Sequence, residues 1–201
     1  MPNSPEIVRV LQQCEELESL LVDETLPTGL KGTDRERAAL TSFSVAIEHY
    51  RAIRHLIEDG RFQSSSRALM RPLRETCFRG MWLVRIATDA EVERAFSDDK
   101  IYPDFSRITG LLDKRERTTY YKYGLEDLTL FHGFTHTGYQ QLLRHYNQMI
   151  QEPPLANPAE SIALLRHAQV DIALFAMALI RAYDKPEGIV RIEQALDRLT
   201  V

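Results

Sequence analysis

The spacing of apolar residues is the feature that most restricts how this chain folds, because these residues recur every three or four positions, as in an amphipathic helix. The clearest segment begins with Thr33-Asp34-Arg35-Glu36, a capping-box sequence that satisfies two backbone N–H groups of a first helical turn. It continues with apolar residues at helical spacing, namely Leu40, Phe43, Ile47, Tyr50 and Ile57. Gly60 is the predicted C-terminal stop. No segment alternates between apolar and polar residues as a strand does, so the sequence predicts an all-α fold.

A chain of 201 residues has the size of one domain, and its start and stop signals predict an up-and-down bundle of about five to seven helices. We expect a single helical domain over residues 1–201. Its predicted parts are an N-terminal helix and loop (1–33), a long helical hairpin (34–88), an irregular insert (89–124) and C-terminal helices (125–201). The second helix of the hairpin is predicted to begin near Ser64 and to end near Thr88, with a bend at Pro72.

Two further features predict how the helices pack. Gly80, in the second helix of the hairpin, has no side chain and allows another helix to approach closely. Asn157 and Pro158 have the residue types of an N-cap and a first-turn position, and the helix that they begin is apolar nearly all round as far as Tyr183. Because a helix without a polar face belongs in the core, we expect this one at the centre of the bundle.

The composition predicts a cytoplasmic protein with no membrane partner. Hydrophobic residues make up 44% of the chain and charged residues 27%, which are ordinary values for a globular domain. The N-terminus lacks the basic and apolar regions of a signal peptide, and the longest strongly apolar run, 172–180, is far shorter than the roughly 20 residues that span a bilayer. Cys14 and Cys77 are too few for a disulfide framework.

The charges are unevenly distributed along the chain. Residues 51–85 contain eight arginines and three acids, a net charge of +5, so the rest of a chain with a total charge of −4 carries −9. A basic patch of this kind attracts phosphate, which makes RNA one expected partner. The alternative is a solvated face, or one that is paired with acids inside the protein.

The stretch from Leu130 to Leu143 contains the first chemical signal. His132 and His136 are four residues apart on a predicted helix, so both lie on one face of it. With His49 from the hairpin, they resemble the ligand set of DinB-like metal-binding helical bundles, in which a His-x3-His pair is followed by one residue and a Gly, as at Gly138 here. The resemblance implies a divalent transition metal at His49, His132 and His136. The alternative is that the two histidines are half buried and only fasten helices together.

A ladder of charged residues at four-residue steps is the second signal, formed by Arg67, Arg71, Glu75 and Arg79. One arginine neutralises Glu75 and another is left to hold an anion. With His136 as acid or base and Tyr139 in the same pocket, these residues are sufficient for phosphodiester cleavage without a cofactor or metal. The alternative is that the ladder locks one helix against another, with His136 donating to Glu75. The sequence has none of the common nucleophile, phosphate-loop or zinc motifs.

The same helix carries a recognisable pattern. Residues 71–83 read Arg-Pro-x-x-Glu-x-x-x-Arg-x-x-Trp-Leu, and residues 134–138 read aromatic-x-His-x-Gly. Together they resemble a widespread group of uncharacterised bacterial helical proteins, with matching order and spacing from about Thr33 to Tyr183. Thr137 stands where the usual pattern has a Gly. Because the function of that group is unknown, the resemblance implies a fold and a site but no activity.

That group is similar in outline to HEPN domains, helical bundles that often form dimers and many of which cut RNA. HEPN ribonucleases carry an Arg, four to six intervening residues and a His on one helix. No histidine here has an Arg at that distance, and Arg51 misses His55 by one residue. The leading hypothesis is therefore a HEPN-like homodimer with a pocket of Arg71, Glu75, Arg79 and His136 that cleaves RNA or sequesters a partner in stress or defence. A DinB-like metalloprotein and a non-enzymatic interaction or structural module remain as alternatives.

Overall fold

A computed structural model describes residues 4–25, 32–119, 121 and 157–199. Over these residues the chain forms helices and no strands, so the predicted all-α bundle is confirmed. The helices are α1 (Pro5–Thr25), α2 (Asp34–Asp59), α3 (Gln63–Arg85), α4 (Asp89–Arg94), α5 (Phe105–Glu116), α6 (Pro158–Ala182) and α7 (Pro186–Leu199), with a 3₁₀ turn at Asp99–Ile101. The predicted helix that carries His132 and His136 lies outside the described residues.

Helices α2 and α3 form the predicted hairpin, and the local signals explain its ends. The backbone N–H of Glu36 donates to Thr33 Oγ1 at 3.3 Å, while the N–H of Thr33 donates to Glu36 Oε2 at 2.7 Å, which is the predicted capping box. Gly60 ends α2 with a φ of 77°, in the left-handed region that glycine adopts without steric cost. Helix α3 runs without interruption past Pro72 and ends at Arg85, three residues before the predicted end.

Helix α6 lies at the centre of the bundle, as its apolar composition predicts. It packs against α1, α2, α3 and α7, and all residues from 175 to 180 are buried. Among the described helices, α6 alone has the length and composition of a membrane span, but 67% of its most apolar 18-residue window is buried inside the protein. This burial accounts for its composition, since a central helix needs no polar face.

The closest approach between α3 and α6 occurs at Gly80. A Cβ atom built on Gly80 would lie 2.0 Å from Cζ of Phe175, which shows that the aromatic ring occupies the place of a side chain. The same ring makes an edge contact with Phe43 of α2, with ring centroids 5.4 Å apart. The prediction that Gly80 allows close helix approach is confirmed.

The segment predicted to be irregular, 89–124, contains two helices. The first is the short helix α4. The expectation of irregular structure is wrong for Phe105–Glu116, which forms the 12-residue helix α5. Ile108 and Leu112 face the core at a four-residue spacing, and Phe105 stacks on Phe78 of α3 with ring centroids 5.2 Å apart. Gly110 lies on the exposed face of α5, where it interferes with no packing contact.

Candidate functional site

The charged ladder on α3 forms as its spacing predicts. Nε of Arg71 donates to Oε1 of Glu75 at 2.8 Å, and Nη2 of Arg79 lies 3.9 Å from Oε2 of the same carboxylate. The structure therefore brings Arg71, Glu75 and Arg79 together on one face of α3. His136 and Tyr139, the other predicted members of this pocket, lie outside the described residues.

Arg79 is held in place mainly by an aromatic ring. Its guanidinium carbon lies 5.0 Å from the centre of the Tyr102 ring, within the range of a cation–π contact. The Tyr102 ring in turn makes an edge contact with Trp82, at 5.9 Å between centroids. The Arg79 side chain is 46% exposed and donates no hydrogen bond to any residue that the structure describes. Within the described structure it is thus a cation oriented by a ring, with Glu75 as a distant ionic partner and its N–H donors in no hydrogen bond.

Sequence reasoning did not identify Tyr102. It follows the 3₁₀ turn in the insert, where no periodic pattern shows which side chains turn inward. An aromatic residue directly before Pro103 in a weakly patterned segment was the one available signal.

The eight arginines of residues 51–85 are all paired with acids. Each has a carboxylate oxygen within 4.0 Å, and five of those acids come from outside the segment. The pairs to outside acids are Arg51 and Arg54 with Glu18, Arg54 with Glu15, Arg67 with Glu160, Arg74 with Asp171, and Arg85 with Glu116. The remaining three arginines use Asp59 and Glu75 within the segment. The excess of +5 in the segment is therefore matched by five acids that the fold brings to it.

One of these pairs is fully buried and was not predicted. Nε of Arg74 donates to Oδ2 of Asp171 at 2.8 Å, and the side chains are 2% and 0% exposed. The pair joins α3 to the central helix α6. A signal was present in the sequence, since Arg74 directly follows the core residue Leu73 and Asp171 directly precedes the apolar run 172–180. A charge at such a position needs a partner in the core.

A groove of about 350 Å³ lies between α1 and α2. It is lined by Glu15, Glu18, Ser19, Val22, Asp23, Arg51 and Arg54. Nε of Arg51 donates to Oε1 of Glu18 at 2.6 Å, and Nη1 of Arg54 lies 3.1 Å from Oε1 of Glu15. The two arginines of the groove are therefore paired with the two glutamates across it.

The structure tests the metal hypothesis only in part. His49 is half buried on α2, whereas His132 and His136 lie outside the described residues. Within the described ranges, no group of three or more His, Cys, Asp or Glu side chains is arranged to hold a metal ion. The ligand set of His49, His132 and His136 stays a prediction.

Neither cysteine is placed to act as a nucleophile. Both are free and buried. Burial raises the pKa of Cys14 to about 11, and burial followed by the charge of Asp171 raises the pKa of Cys77 well above its ordinary value. Both thiols stay protonated at neutral pH, and the thiolate is the reactive form.

The comparison with protein families covers most of these features. A family model described as a family of unknown function (DUF6988) matches residues 43–196. The match begins within α2 and ends within α7, and it includes the α3 ladder, the Arg74–Asp171 pair and the segment that carries His136. No curated protein and no solved structure matches the chain. Because the match spans more than half of its length, the chain belongs to this family of unknown function, DUF6988.

Proposed function

We propose that the Arg71, Glu75 and Arg79 face of α3 binds a phosphate group of RNA, and that His136 acts there as acid or base in metal-independent cleavage of the strand. The observation that carries the proposal is the state of Arg79. Its guanidinium is half exposed, lies 5.0 Å from the centre of the Tyr102 ring, and is 3.9 Å from Glu75, too far for a hydrogen bond. An arginine oriented by a ring keeps its planar set of donors for a phosphate.

The other two ladder residues have supporting roles in this proposal. Glu75 accepts a hydrogen bond from Arg71 through Oε1, and this contact holds the carboxylate in place while its Oε2 stays 3.9 Å from Arg79. Arg79 then stabilises the negative charge that grows on the phosphate oxygens in the transition state. His136 supplies the proton transfer, which takes a proton from the attacking hydroxyl or gives one to the leaving oxygen.

The proposal extends to the outline, the oligomeric state and the cellular role of the protein. It includes a HEPN-like outline, a homodimer and a cytoplasmic role in stress or defence, and the all-helical fold supports the first of these. An RNA duplex or single strand presents regularly spaced phosphates, so a dimer with two such faces would gain affinity from two contacts on one strand.

A ribonuclease assay tests the proposal directly. We expect the purified wild-type protein to cleave RNA, and we expect His136→Ala and Arg79→Ala to lose most of that activity, by about 100-fold or more for the acid–base residue. Arg107→Ala is the matched control, because Arg107 is an exposed arginine of α5 outside the ladder. Equal activity in wild type and His136→Ala would show that the activity is a contaminant and would remove the proposal.

A second candidate function is a non-enzymatic interaction or structural module. The observation that favours it is the pairing of all eight arginines of residues 51–85, which leaves little positive charge unbalanced for a nucleic acid. Under this candidate the ladder stabilises the fold. Arg71→Ala would then lower the thermal stability while RNA binding and cleavage stay at background in every variant.

A further inference from the structure

Arg166 differs from the other arginines that are buried or half buried in the described part of the chain. Six of these, namely Arg35, Arg54, Arg67, Arg71, Arg74 and Arg85, have a carboxylate partner. Arg166 lies on α6 beside α1, and its partners are two glutamines. Nη2 donates to Oε1 of Gln13 at 2.8 Å, and Nη1 donates to Oε1 of Gln169 at 3.1 Å. Among the described residues no acid lies within 4.0 Å of it.

The remaining groups around Arg166 do not supply the missing negative charge. Cys14 follows Gln13 on α1 and is buried, and the Tyr50 hydroxyl donates to the Cys14 carbonyl at 3.2 Å. Burial raises the pKa of Cys14 to about 11 and raises the pKa of Tyr50 well above its ordinary value, so both side chains are neutral at pH 7. Glu15, the nearest acid along α1, pairs with Arg54.

A second cation and an unused donor lie at the same place. Arg9 is one helical turn before Gln13 on α1, so the two side chains lie on the same face of that helix, and Gln13 accepts from Arg166. Burial, with the charge of Arg9 as a smaller cause, lowers the pKa of Arg166. Gln169 is fully buried, and its Nε2 group has no hydrogen-bond acceptor within the described structure. Because Oε1 of Gln169 already accepts from Nη1 of Arg166, turning the amide over would place its NH₂ group against that N–H donor. The orientation of this amide is therefore fixed by the arginine.

We propose that a small oxyanion, a phosphate or phosphate monoester, binds at the seam of α1 and α6 between Arg166 and Arg9. Gln13 and Gln169 hold the guanidinium in a fixed orientation without neutralising it, so its charge is kept for a ligand. Among the described residues neither Arg166 nor Arg9 has a carboxylate within 4.0 Å, so both keep the charge and the planar donors that a phosphate accepts. The inference does not depend on the α3 face, since the two sites share no residue.

Titration with inorganic phosphate tests this site. At constant ionic strength, with chloride as the reference anion, we expect phosphate to raise the unfolding temperature of the wild-type protein. We expect Arg166→Gln to weaken phosphate binding by at least about tenfold, the loss of a charge-assisted contact. Arg166→Lys keeps the charge but not the planar set of donors, so its phosphate affinity should lie between those of wild type and Arg166→Gln. Arg198→Gln on α7 is the control for net charge and should bind as wild type does.

Two comparisons separate this site from its alternatives. The chloride baseline of each variant reports whether the substitution harms the fold, and the phosphate-induced shift is read relative to that baseline. The shift should persist in Arg79→Gln, which alters only the α3 face, and an adenosine monophosphate titration distinguishes a phosphate ester from the free ion. An equal phosphate shift in wild type and Arg166→Gln, or no shift beyond that of chloride in wild type, would overturn the proposal.

Discussion

At the scale of single residues, packing at Gly80 gives the sharpest test of the fold. The Phe175 ring lies where a side chain would begin, 2.0 Å from the position of an added Cβ, and it is fully buried against α2 as well. Gly80→Ala should therefore destabilise the protein by about 1–3 kcal/mol, since the cost of overpacking exceeds the gain of about 1 kcal/mol in helix propensity. Chemical denaturation of the two proteins measures the difference.

Gly110 provides the matched control for this substitution. It also lies within a helix, but nothing is within 4 Å of a Cβ added there. Gly110→Ala should stabilise the protein by about 0.5–1 kcal/mol. If both substitutions changed the stability equally, the close contact between α3 and Phe175 would be wrong.

Residue types and spacing predicted some contacts of the candidate site and missed others for a physical reason. Arg71, Glu75 and Arg79 are four residues apart, so any helix places them together. Arg74 and Asp171 are 97 residues apart, and their contact depends on how α3 crosses α6. Each of the two residues is recognisable as a charge beside core positions, but the sequence does not say which charge meets which.

At the scale of helices, capping boxes determine where α2 and α4 begin. The stabilisation that the capping box of α4 provides depends on pH. Glu91 accepts hydrogen bonds from the N–H and the Oγ1 of Thr88, at 2.7 and 2.9 Å, in the capping box of α4. These bonds, the backbone bond first, hold the pKa of Glu91 below its ordinary value of 4.5.

The stabilisation of α4 by Glu91 should be lost in acid. Because the folded pKa is lower than the unfolded one, this contribution is complete above about pH 4.5 and disappears as the pH falls through the lowered value. A titration of the Thr88 and Glu91 amide signals by NMR checks the direction. Glu91→Gln keeps an acceptor but cannot titrate, so its Thr88 signal should not follow the same transition. An amide shift that titrates equally in Glu91→Gln would contradict this assignment.

Helix prediction succeeded where caps and apolar spacing agree, and α5 shows why it failed elsewhere. The helix has no side-chain cap at Asp104 and contains Gly110. Its stability comes from contacts such as the stacking of Phe105 on Phe78, whose partner lies on another helix. Tertiary packing of this kind outweighs weak local propensity, and the helical spacing of Phe105, Ile108 and Leu112 was the one signal of it within the segment.

At the scale of the whole molecule, folding balances the uneven distribution of charge along the chain. The basic segment 51–85 meets five acids from α1, α5 and α6, so an imbalance that looks like a nucleic-acid patch in sequence becomes a set of contacts between helices. Net charge of a segment therefore predicts little about surface potential when its partners are distant in sequence.

The pairing across the groove of α1 and α2 offers a test of this view. Glu15→Gln with Glu18→Gln removes the carboxylates that neutralise Arg51 and Arg54, and changes the formal charge from −4 to −2. The freed guanidiniums should bind a polyanion, so the double variant should elute from a heparin column at a higher salt concentration than wild type. Glu16→Gln with Glu48→Gln makes the same charge change at exposed residues of the same two helices. If pairing governs the surface, the first variant is retained more strongly than the second, whereas equal retention would mean that net charge alone decides the interaction.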